Sequence, residues 1–377
     1  MLREAQWKNK NITELYMPGS VFKLITASAG LDSGIMNMNQ TFYCNGELTV
    51  NQGSELWEHT YHCANGEVHN LQNMAQALDN SCNLWFIQAA QTLQPTVFYD
   101  YIQAFGFTQP TGIDLPSETR WTSVYNAQQM AEVDTNLYTA AFGQNEAITP
   151  MQMATAIAAI ANGGIYTKPV FFTKILDHNG KVLLENEPQT KRVLKDSTAF
   201  LLTDALAESM ESSRMYASPG VSLNSTSVPA NIPGMSNAGK SGTTTSNVDI
   251  WFVGYTPYYT AGIWSGCDDN QKISAIGSST SYHKRIWKQI MARAHEGLAD
   301  TGFPVPDSIE TASVCRKSGM LPNPGVCEAD PRGSAVYTEY FAKGTVPTQV
   351  CDHHVAITVC GESGGLPTEF CPLESRH

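Results

Sequence analysis

The chain has 377 residues and a formal net charge of −12, because 35 acidic side chains outnumber 23 basic ones. This balance argues against a nucleic-acid groove as its main function. Hydrophobic residues make up 42% and charged residues 15%, which excludes a disordered chain and is enough for a buried core. No run reaches the roughly 18 apolar residues of a membrane helix, and residues 1–10 lack the apolar segment of a secretory signal.

The predicted elements of the first half are mainly helical. Apolar residues at helical spacing predict a buried helix over residues 20–34 and a second helical stretch over 71–93, broken around Asn80 and Ser81. Residues 40–70 between them show little periodicity and are predicted to be an irregular excursion. Residues 123–162 are alanine-rich and are predicted to be helical.

Strand signals dominate after Pro169. The Asn-Gly pair at 179–180 lies between two apolar runs and predicts a hairpin. Residues 250–255 and 261–264 predict antiparallel neighbours, with 240–244 as the first part of an edge strand. Helices are predicted at 198–210 and 284–298. This order favours an α+β fold, an antiparallel sheet with packed helices plus a helical lobe.

The C-terminal segment differs in composition from the rest. Residues 303–377 hold five of the nine cysteines and eight of the 19 prolines. The pattern Cys-x2-Ser-Gly-x-Leu-Pro occurs there twice, starting at Cys315 and at Cys360. We therefore predict a domain over residues 1–302 and a small Cys/Pro-rich extension over 303–377.

Ser20 and Lys23 form the first candidate motif. They lie three residues apart at the start of the predicted buried helix, so hydroxyl and ammonium share one helical face. A serine hydroxyl needs a base to become a nucleophile, and a lysine whose charge is disfavoured can act as that base. The positive end of the helix favours negative charge developing there. A capping serine beside a solvated lysine has the same pattern.

Two further motifs follow. Ser81 and Asn83 lie at the predicted helix break, where a hydroxyl relays a proton and an amide holds a substrate amide, although a helix cap uses the same residue types. The third motif lies in the predicted edge strand, where glycine lets another backbone approach and a lysine with hydroxyls binds a carboxylate. Its residues are Lys240, Ser241, Gly242, Thr243 and Thr244.

In order, spacing and context the three motifs resemble those of the penicillin-recognising serine acyl-transferases. The flanking residues are similar to penicillin-binding protein transpeptidase domains over most of residues 7–300. The segment around 337–341 resembles the bifunctional class A enzymes, while the region from Trp7 to Ser20 fits class A or the monofunctional class B. The flanks that carry the resemblance are 16–23, 111–116, 143–154 and 249–257.

This resemblance implies a peptidoglycan D,D-transpeptidase that β-lactams inhibit. Ser20 would attack the penultimate D-alanyl carbonyl of a stem peptide while Lys23 accepts its proton. Asn83 would hold the substrate amide, Ser81 would pass a proton to the departing D-alanine, and Lys240 would help to bind the terminal carboxylate. The oxyanion hole would use the N–H groups of Ser20 and Thr243. Substrate binding is assigned to Ser241, Gly242, Thr243 and Thr244, with no cofactor and no metal.

The resemblance also implies the cellular context. Such enzymes act at the extracytoplasmic face of the bacterial membrane, alongside other cell-wall synthesis proteins. Members usually carry strands and a membrane anchor before the nucleophile, and class A members add a glycosyltransferase domain. Because 19 residues precede Ser20, we expect a fragment that lacks some N-terminal strands and the anchor.

Other functions stay open. A non-catalytic sensor or scaffold that binds β-lactams or wall peptides would keep the same motifs, as would a D,D-carboxypeptidase. A serine β-lactamase would also share them, but no Glu-x-x-Leu-Asn segment lies between the second and third motifs. Turnover of a D-alanyl-D-alanine substrate separates an enzyme from a binder.

The cysteines are predicted to be structural. In an oxidising compartment each copy of the repeated turn predicts a short disulfide, Cys315 with Cys327 and Cys360 with Cys371. Two sets also suggest zinc, but neither has paired Cys-x2-Cys spacing, so we predict structural roles. Cys82 is predicted to be a small packing residue. The two sets are Cys44, His59, His62 and Cys63, and Cys351, His353 and His354.

Overall fold

The chain divides into two units, Met1–Pro306 and Asp307–His377. The computed structural model describes residues 7–51, 58–211, 225–244, 247–267, 271–273, 281–360, 364–368 and 374–376. Helices and antiparallel strands combine in the first unit, which confirms the predicted α+β class. Among the described helices, none is both long and apolar enough to cross a membrane.

A buried helix lies at the centre of the first unit. A 3₁₀ turn at Gly19–Phe22 leads into α2, whose residues 23–30 are all buried, so the buried helix predicted over residues 20–34 is confirmed. This helix contacts α4, α5 and α9. The described helices are α1 (Lys10–Thr13), α2 (Lys23–Asp32), α3 (Met74–Asp79), α4 (Asn83–Leu93), α5 (Pro95–Ala104), α6 (Ala127–Glu132), α7 (Asp134–Ala141), α8 (Pro150–Ala161), α9 (Asp196–Glu208) and α10 (Tyr282–Ala294).

Two predicted helical stretches are interrupted. The stretch over 71–93 is broken near Ser81, as predicted, but begins at α3, where Asn73 and Gln76 form a capping box. Residues 123–162, which were predicted to be helical, form three separate helices, α6, α7 and α8. The chain breaks there because Gly143 takes a left-handed φ of +79° and α8 begins behind the capping side chain of Thr149.

Short antiparallel pairs surround the helices. Strand β1 (Phe42–Cys44) pairs with β4 (Asn70–Gln72), and β2 (Glu47–Val50) pairs with β3 (His59–His62). The prediction of an irregular excursion over 40–70 is therefore wrong, because strands of three or four residues are too short to show a period. Strand β5 (Ile165–Thr167) pairs with β8 (Thr190–Arg192), and β6 (Lys174–Leu176) with β7 (Val182–Glu185) forms the predicted hairpin.

A three-stranded sheet lies beside the buried helix. Strands β9 (Ala238–Thr243), β10 (Asp249–Tyr255) and β11 (Thr260–Gly266) are antiparallel in the order β11-β10-β9, which confirms the predicted neighbours. Trp251 pairs with Gly242 on one side and with Trp264 on the other. Strand β9 is an edge of this described sheet, as predicted.

The described residues of the second unit include two strand pairs. Strand β12 (Ile309–Cys315) pairs with β13 (Val336–Ala342), and β14 (Thr358–Cys360) with β15 (Glu374–Arg376). The two copies of the sequence repeat share one hydrogen bond: Gly319 N donates to Cys315 O and Gly364 N to Cys360 O, each at 2.8 Å.

The predicted disulfide between Cys315 and Cys327 is wrong. Both are free and buried, and they share one small core with Cys351. Cys360 is disulfide-bonded, but its predicted partner Cys371 lies outside the described residues, so that pairing stays a prediction. The sequence pattern was misleading because a third thiol, far along the chain, contacts the first two.

Candidate active site

The loop that carries Ser20 is held by backbone contacts. Gly19 N donates to Gly143 O at 3.0 Å. A β-carbon on Gly19, whose φ is +54°, would lie 2.9 Å from the carbonyl oxygen of Thr243 and 3.0 Å from its nitrogen. Only glycine permits this approach. The backbone before Ser20 therefore lies directly against the end of β9.

Lys23, the first residue of α2, is fully buried, and its side chain reaches the turn between α3 and α4. Its Nζ donates to Ser81 O at 2.5 Å and to Asn83 Oδ1 at 2.7 Å. Burial lowers the pKa of Lys23 to about 8, and the nearby thiols of Cys63 and Cys82 partly oppose that shift. With such a pKa about a tenth of the Lys23 amine is neutral at pH 7, far more than for a lysine with the usual pKa of about 10.4.

Ser81 joins the first and third motifs. Its φ is +54°, a left-handed conformation that is uncommon for serine. Its Oγ lies 2.9 Å from Lys240 Nζ and 3.3 Å from Lys23 Nζ. The hydroxyl therefore contacts two buried amines and is placed to relay a proton between them.

Lys240 is fully buried, and burial, together with the charge of Lys23 and then of Lys284, holds its pKa well below its usual value. A β-carbon on Gly242 would lie 2.4 Å from Pro18 O. This bears out the expectation that glycine lets another backbone approach here. Strand β9 thus presents an amine and a bare backbone to the loop that carries the predicted nucleophile.

The hydroxyls of the third motif have different surroundings. Thr243 is exposed. Ser241 is buried and donates to Thr226 Oγ1 at 2.8 Å. The Thr244 hydroxyl accepts from Asp249 N at 2.9 Å and closes the turn between β9 and β10. Of these three hydroxyls, that of Thr243 is the most accessible to a substrate.

Sequence reasoning missed a pair of residues that hold the nucleophile loop. Trp251 is buried in β10, and its Nε1 donates to Met17 O at 2.8 Å. The Asp249 carboxylate accepts from the Met17 backbone and from Trp264 Nε1 at 2.8 Å. The Asp-x-Trp spacing in β10 was the available signal, because residues two apart point to the same face of a strand.

Two groups of described side chains are arranged as metal ligands. One contains Cys44, Cys63, His69 and Cys82, and the other Cys315, Cys327, Cys351 and His354; in each, the four ligand atoms lie within 4.8 Å of one another. His59, His62 and His353, which the sequence analysis considered, are in neither group. Cys82 is buried, as expected of a packing residue, but its sulfur also lies 3.8 Å from the sulfur of Cys63 in the first group.

Comparisons with known families cover both units. The family model of the penicillin binding protein transpeptidase domain matches residues 2–292. The model of the penicillin-binding protein 1A C-terminal domain matches residues 305–356. The first match spans well over half of the chain.

Similar proteins include penicillin-binding protein 1A of Clostridium botulinum (strain Langeland), which is 33% identical over 307 residues, covering 81% of this chain and 33% of that protein. Penicillin-binding protein 2D of Bacillus subtilis is 30% identical over 316 residues, covering 70% of this chain and 43% of that protein. The chain thus spans less than half the length of either curated relative.

Solved structures share the fold. The crystal structure of penicillin-binding protein 1A from Haemophilus influenzae has a TM-score of 0.71 at 21% identity, covering 92% of this chain and 51% of that chain. The D,D-transpeptidase domain of a peptidoglycan glycosyltransferase from Eggerthella lenta has a TM-score of 0.64 at 23% identity, covering 78% and 70%. At these identities the likeness supports the fold alone.

Proposed function

The chain belongs to the penicillin-binding protein transpeptidase family, and on that premise we propose that its first unit is a serine D,D-transpeptidase acylated by β-lactams. The observation that carries this proposal is the position of Ser81 Oγ between the amines of Lys23 and Lys240. That contact brings a residue of each motif together, next to the loop that carries Ser20.

Acylation begins at Ser20. Its Oγ bonds to the penultimate D-alanyl carbonyl carbon of a stem peptide, and Lys23 takes the hydroxyl proton. The N–H groups of Ser20 and Thr243 stabilise the oxyanion, which is consistent with the close approach of Gly19 to the Thr243 backbone. The bond to the terminal D-alanine breaks, and Ser81 delivers a proton to its amine.

Substrate recognition uses the edge strand and the second motif. Lys240 supplies positive charge for the terminal carboxylate, and Thr243 supplies an exposed hydroxyl. Ser241 can bind the substrate only if its hydroxyl gives up the hydrogen bond to Thr226. Asn83 holds the substrate amide while its Oδ1 keeps the contact with Lys23. The amine of a neighbouring stem then attacks the acyl-enzyme ester, which releases Ser20 and cross-links two strands.

The cellular setting is proposed on the same premise. The substrates are peptidoglycan stem peptides, and the site acts at the extracytoplasmic face of the bacterial membrane, together with other cell-wall synthesis proteins. We assign residues 303–377 to a separate extension of the transpeptidase domain.

Fluorescent penicillin tests the nucleophile. We expect covalent labelling of the wild type and none of Ser20→Ala, whereas Ser33→Ala, just after the C-terminal end of α2, should label normally. Equal labelling of folded Ser20→Ala would overturn the assignment. Transfer of a D-alanyl-D-alanine donor to an added amine then identifies a transpeptidase. Labelling with release of D-alanine but no transfer would identify a D,D-carboxypeptidase, and labelling with neither would identify a binder. Rapid penicillin hydrolysis would identify a β-lactamase.

A further inference from the structure

Three buried thiols and one buried imidazole converge beside the second motif. Cys44 ends β1, Cys63 follows β3, His69 precedes β4 and Cys82 precedes α4. His69 Nδ1 lies 3.5 Å from the sulfurs of both Cys44 and Cys63, and the sulfurs of Cys63 and Cys82 are 3.8 Å apart. We call these four residues the active-site cluster.

These spacings are those of a tetrahedral metal site. With Zn–S near 2.3 Å and Zn–N near 2.0–2.1 Å, a tetrahedron places its sulfurs about 3.8 Å apart and sulfur about 3.5 Å from nitrogen. A disulfide would need sulfurs about 2.05 Å apart. Soft thiolate donors with one imidazole select zinc among the common divalent ions. We propose that Cys44, Cys63, His69 and Cys82 bind one Zn²⁺.

Outer contacts support this assignment. The second ring nitrogen of His69 lies 3.4 Å from Glu67 Oε2, an arrangement that orients a metal-bound imidazole. The sulfur of Cys82 accepts from Trp85 N at 3.4 Å, at the positive end of α4. His69 N donates to Cys44 O at 3.1 Å. The ligand set therefore has a fixed imidazole and a thiolate stabilised by a backbone N–H.

The ion would influence the candidate active site through the backbone on either side of Cys82. Cys82 lies between Ser81 and Asn83, both of which contact Lys23 Nζ. The left-handed conformation of Ser81 is strained and persists only where its surroundings hold it. An ion bound to Cys82 ties this turn to the two strand pairs that supply the other ligands. The four ligands are therefore positioning residues, and this role rests on the proposed acylation at Ser20.

Metal content tests the site without reference to activity. Purified full chain should contain about one zinc ion in this cluster, and Cys44→Ser should lose it. Cys267→Ser is the matched control, because Cys267 is an exposed free cysteine outside both ligand groups. Cobalt exchanged into the wild type should show the absorption of a tetrahedral thiolate centre. Cys44→Ser should lose the part of that absorption that comes from the active-site cluster. Equal metal content in folded Cys44→Ser and Cys267→Ser would overturn the proposal.

Acylation kinetics test the positioning role. Removing zinc with a chelator should slow penicillin acylation at least tenfold, and restoring zinc should recover it. Cys44→His, which replaces one ligand with another, should retain metal and most of the rate, whereas Cys44→Ser should lose both. Unchanged acylation by metal-free chain would reject the positioning role. Zinc without any acylation in the wild type would instead reject the proposed transpeptidase.

The C-terminal unit contains a second, separate cluster of three thiols and one imidazole. His354 Nδ1 lies 3.2 Å from the sulfur of Cys315 and 3.5 Å from those of Cys327 and Cys351. Its Nε2 lies 2.9 Å from Asp330 Oδ2, the carboxylate–histidine pair common at zinc sites. We infer that Cys315, Cys327, Cys351 and His354 bind a second Zn²⁺.

This second ion has a structural role. The buried hydrophobic cluster found in this unit consists of the three thiols and Ala335. Units this small rarely have enough apolar core on their own, and a structural metal can replace it. Asp330 is itself held by Lys317 at 2.7 Å and Arg332 at 3.3 Å, so the imidazole has a fixed orientation.

Two neighbouring histidines provide the test. His354→Ala should remove one zinc ion per chain, whereas His353→Ala, at an exposed residue outside the cluster, should remove none. Asp330→Asn should keep the ligands but weaken zinc affinity by about 10- to 100-fold in chelator competition. Unchanged zinc content in folded His354→Ala, or a Cys315–Cys327 disulfide in peptide maps of the native protein, would overturn the inference.

Discussion

The candidate active site has two walls, one helical and one formed by strand β9, and they are built in different ways. On the helical wall, Lys23 is connected to Ser81 and Asn83 by hydrogen bonds. On the strand wall, the backbone of Gly242 lies directly against Pro18, and this close approach is possible because glycine has no side chain. We therefore expect acylation to slow when a hydrogen-bonding group is removed from the helical wall. On the strand wall, we expect it to slow when an atom is added.

Removing the amine of Lys23 should have the largest effect. Lys23→Ala should slow penicillin acylation by about a hundredfold or more, because general-base assistance contributes roughly that much. Stopped-flow acylation measures the rate, and circular dichroism checks the fold. Lys8→Ala, at an exposed lysine paired with Glu14, is the control. Acylation of Lys23→Ala near the wild-type rate would show that another base serves Ser20.

Adding one methyl group should damage the strand wall. In Gly242→Ala the new β-carbon would lie 2.4 Å from Pro18 O and 2.9 Å from Val21, so the nucleophile loop must move. A shift of about 1 Å can cost roughly a hundredfold in rate, and we expect a 10- to 100-fold loss. Gly262→Ala is the control, because a β-carbon there meets Val253 at an ordinary 3.5 Å. Equal rates for the two variants would contradict the close packing at Gly242.

The helical wall should also respond to pH. Lys23 must be neutral to accept a proton, and burial lowers its pKa to about 8. The acylation rate should therefore fall about tenfold for each pH unit below that value and level off above it. Lys240, which hydrogen-bonds the same Ser81 hydroxyl, has its pKa held well below its usual value by burial. A flat profile between about pH 6 and 9, measured on folded protein, would exclude Lys23 as the titrating base.

Long periodic elements could be predicted from the sequence. The helix over 20–34 and the strands over 250–264 have enough residues to show a period, and the Asn-Gly turn has a local signature. The short strands over 40–70 and the break at Gly143 showed neither a period nor a local signature. That break depends on a contact with Gly19 more than 100 residues away in sequence, which no local pattern reports.

The site was only partly predictable for the same reason. Ser20, Lys23, Ser81 and Lys240 were recognisable because each motif is short and contiguous. Cys44, Cys63 and Cys351 fell in the two sets that suggest zinc, but the complete ligand groups were not recognisable, because each comes from separate segments without Cys-x2-Cys spacing. His59 and His62 lie nearer to Cys63 in sequence than His69 does, but folding brings His69 to the thiols.

Trp251 gives the smallest expected effect and the sharpest test of the strand wall. Trp251→Phe keeps an aromatic ring but removes the part-buried hydrogen bond from Nε1 to Met17 O, and losing one such bond costs about 0.5–1.5 kcal/mol of stability. Trp287→Phe is a closely matched control, since Trp287 is equally buried and donates to Ala261 O at 2.9 Å. Both variants should lose similar stability in urea unfolding. Only Trp251→Phe should slow acylation, by a few-fold, because Met17 precedes the nucleophile and keeps its contact with Asp249. Equal acylation rates at equal loss of stability would mean that Trp251 serves the core alone.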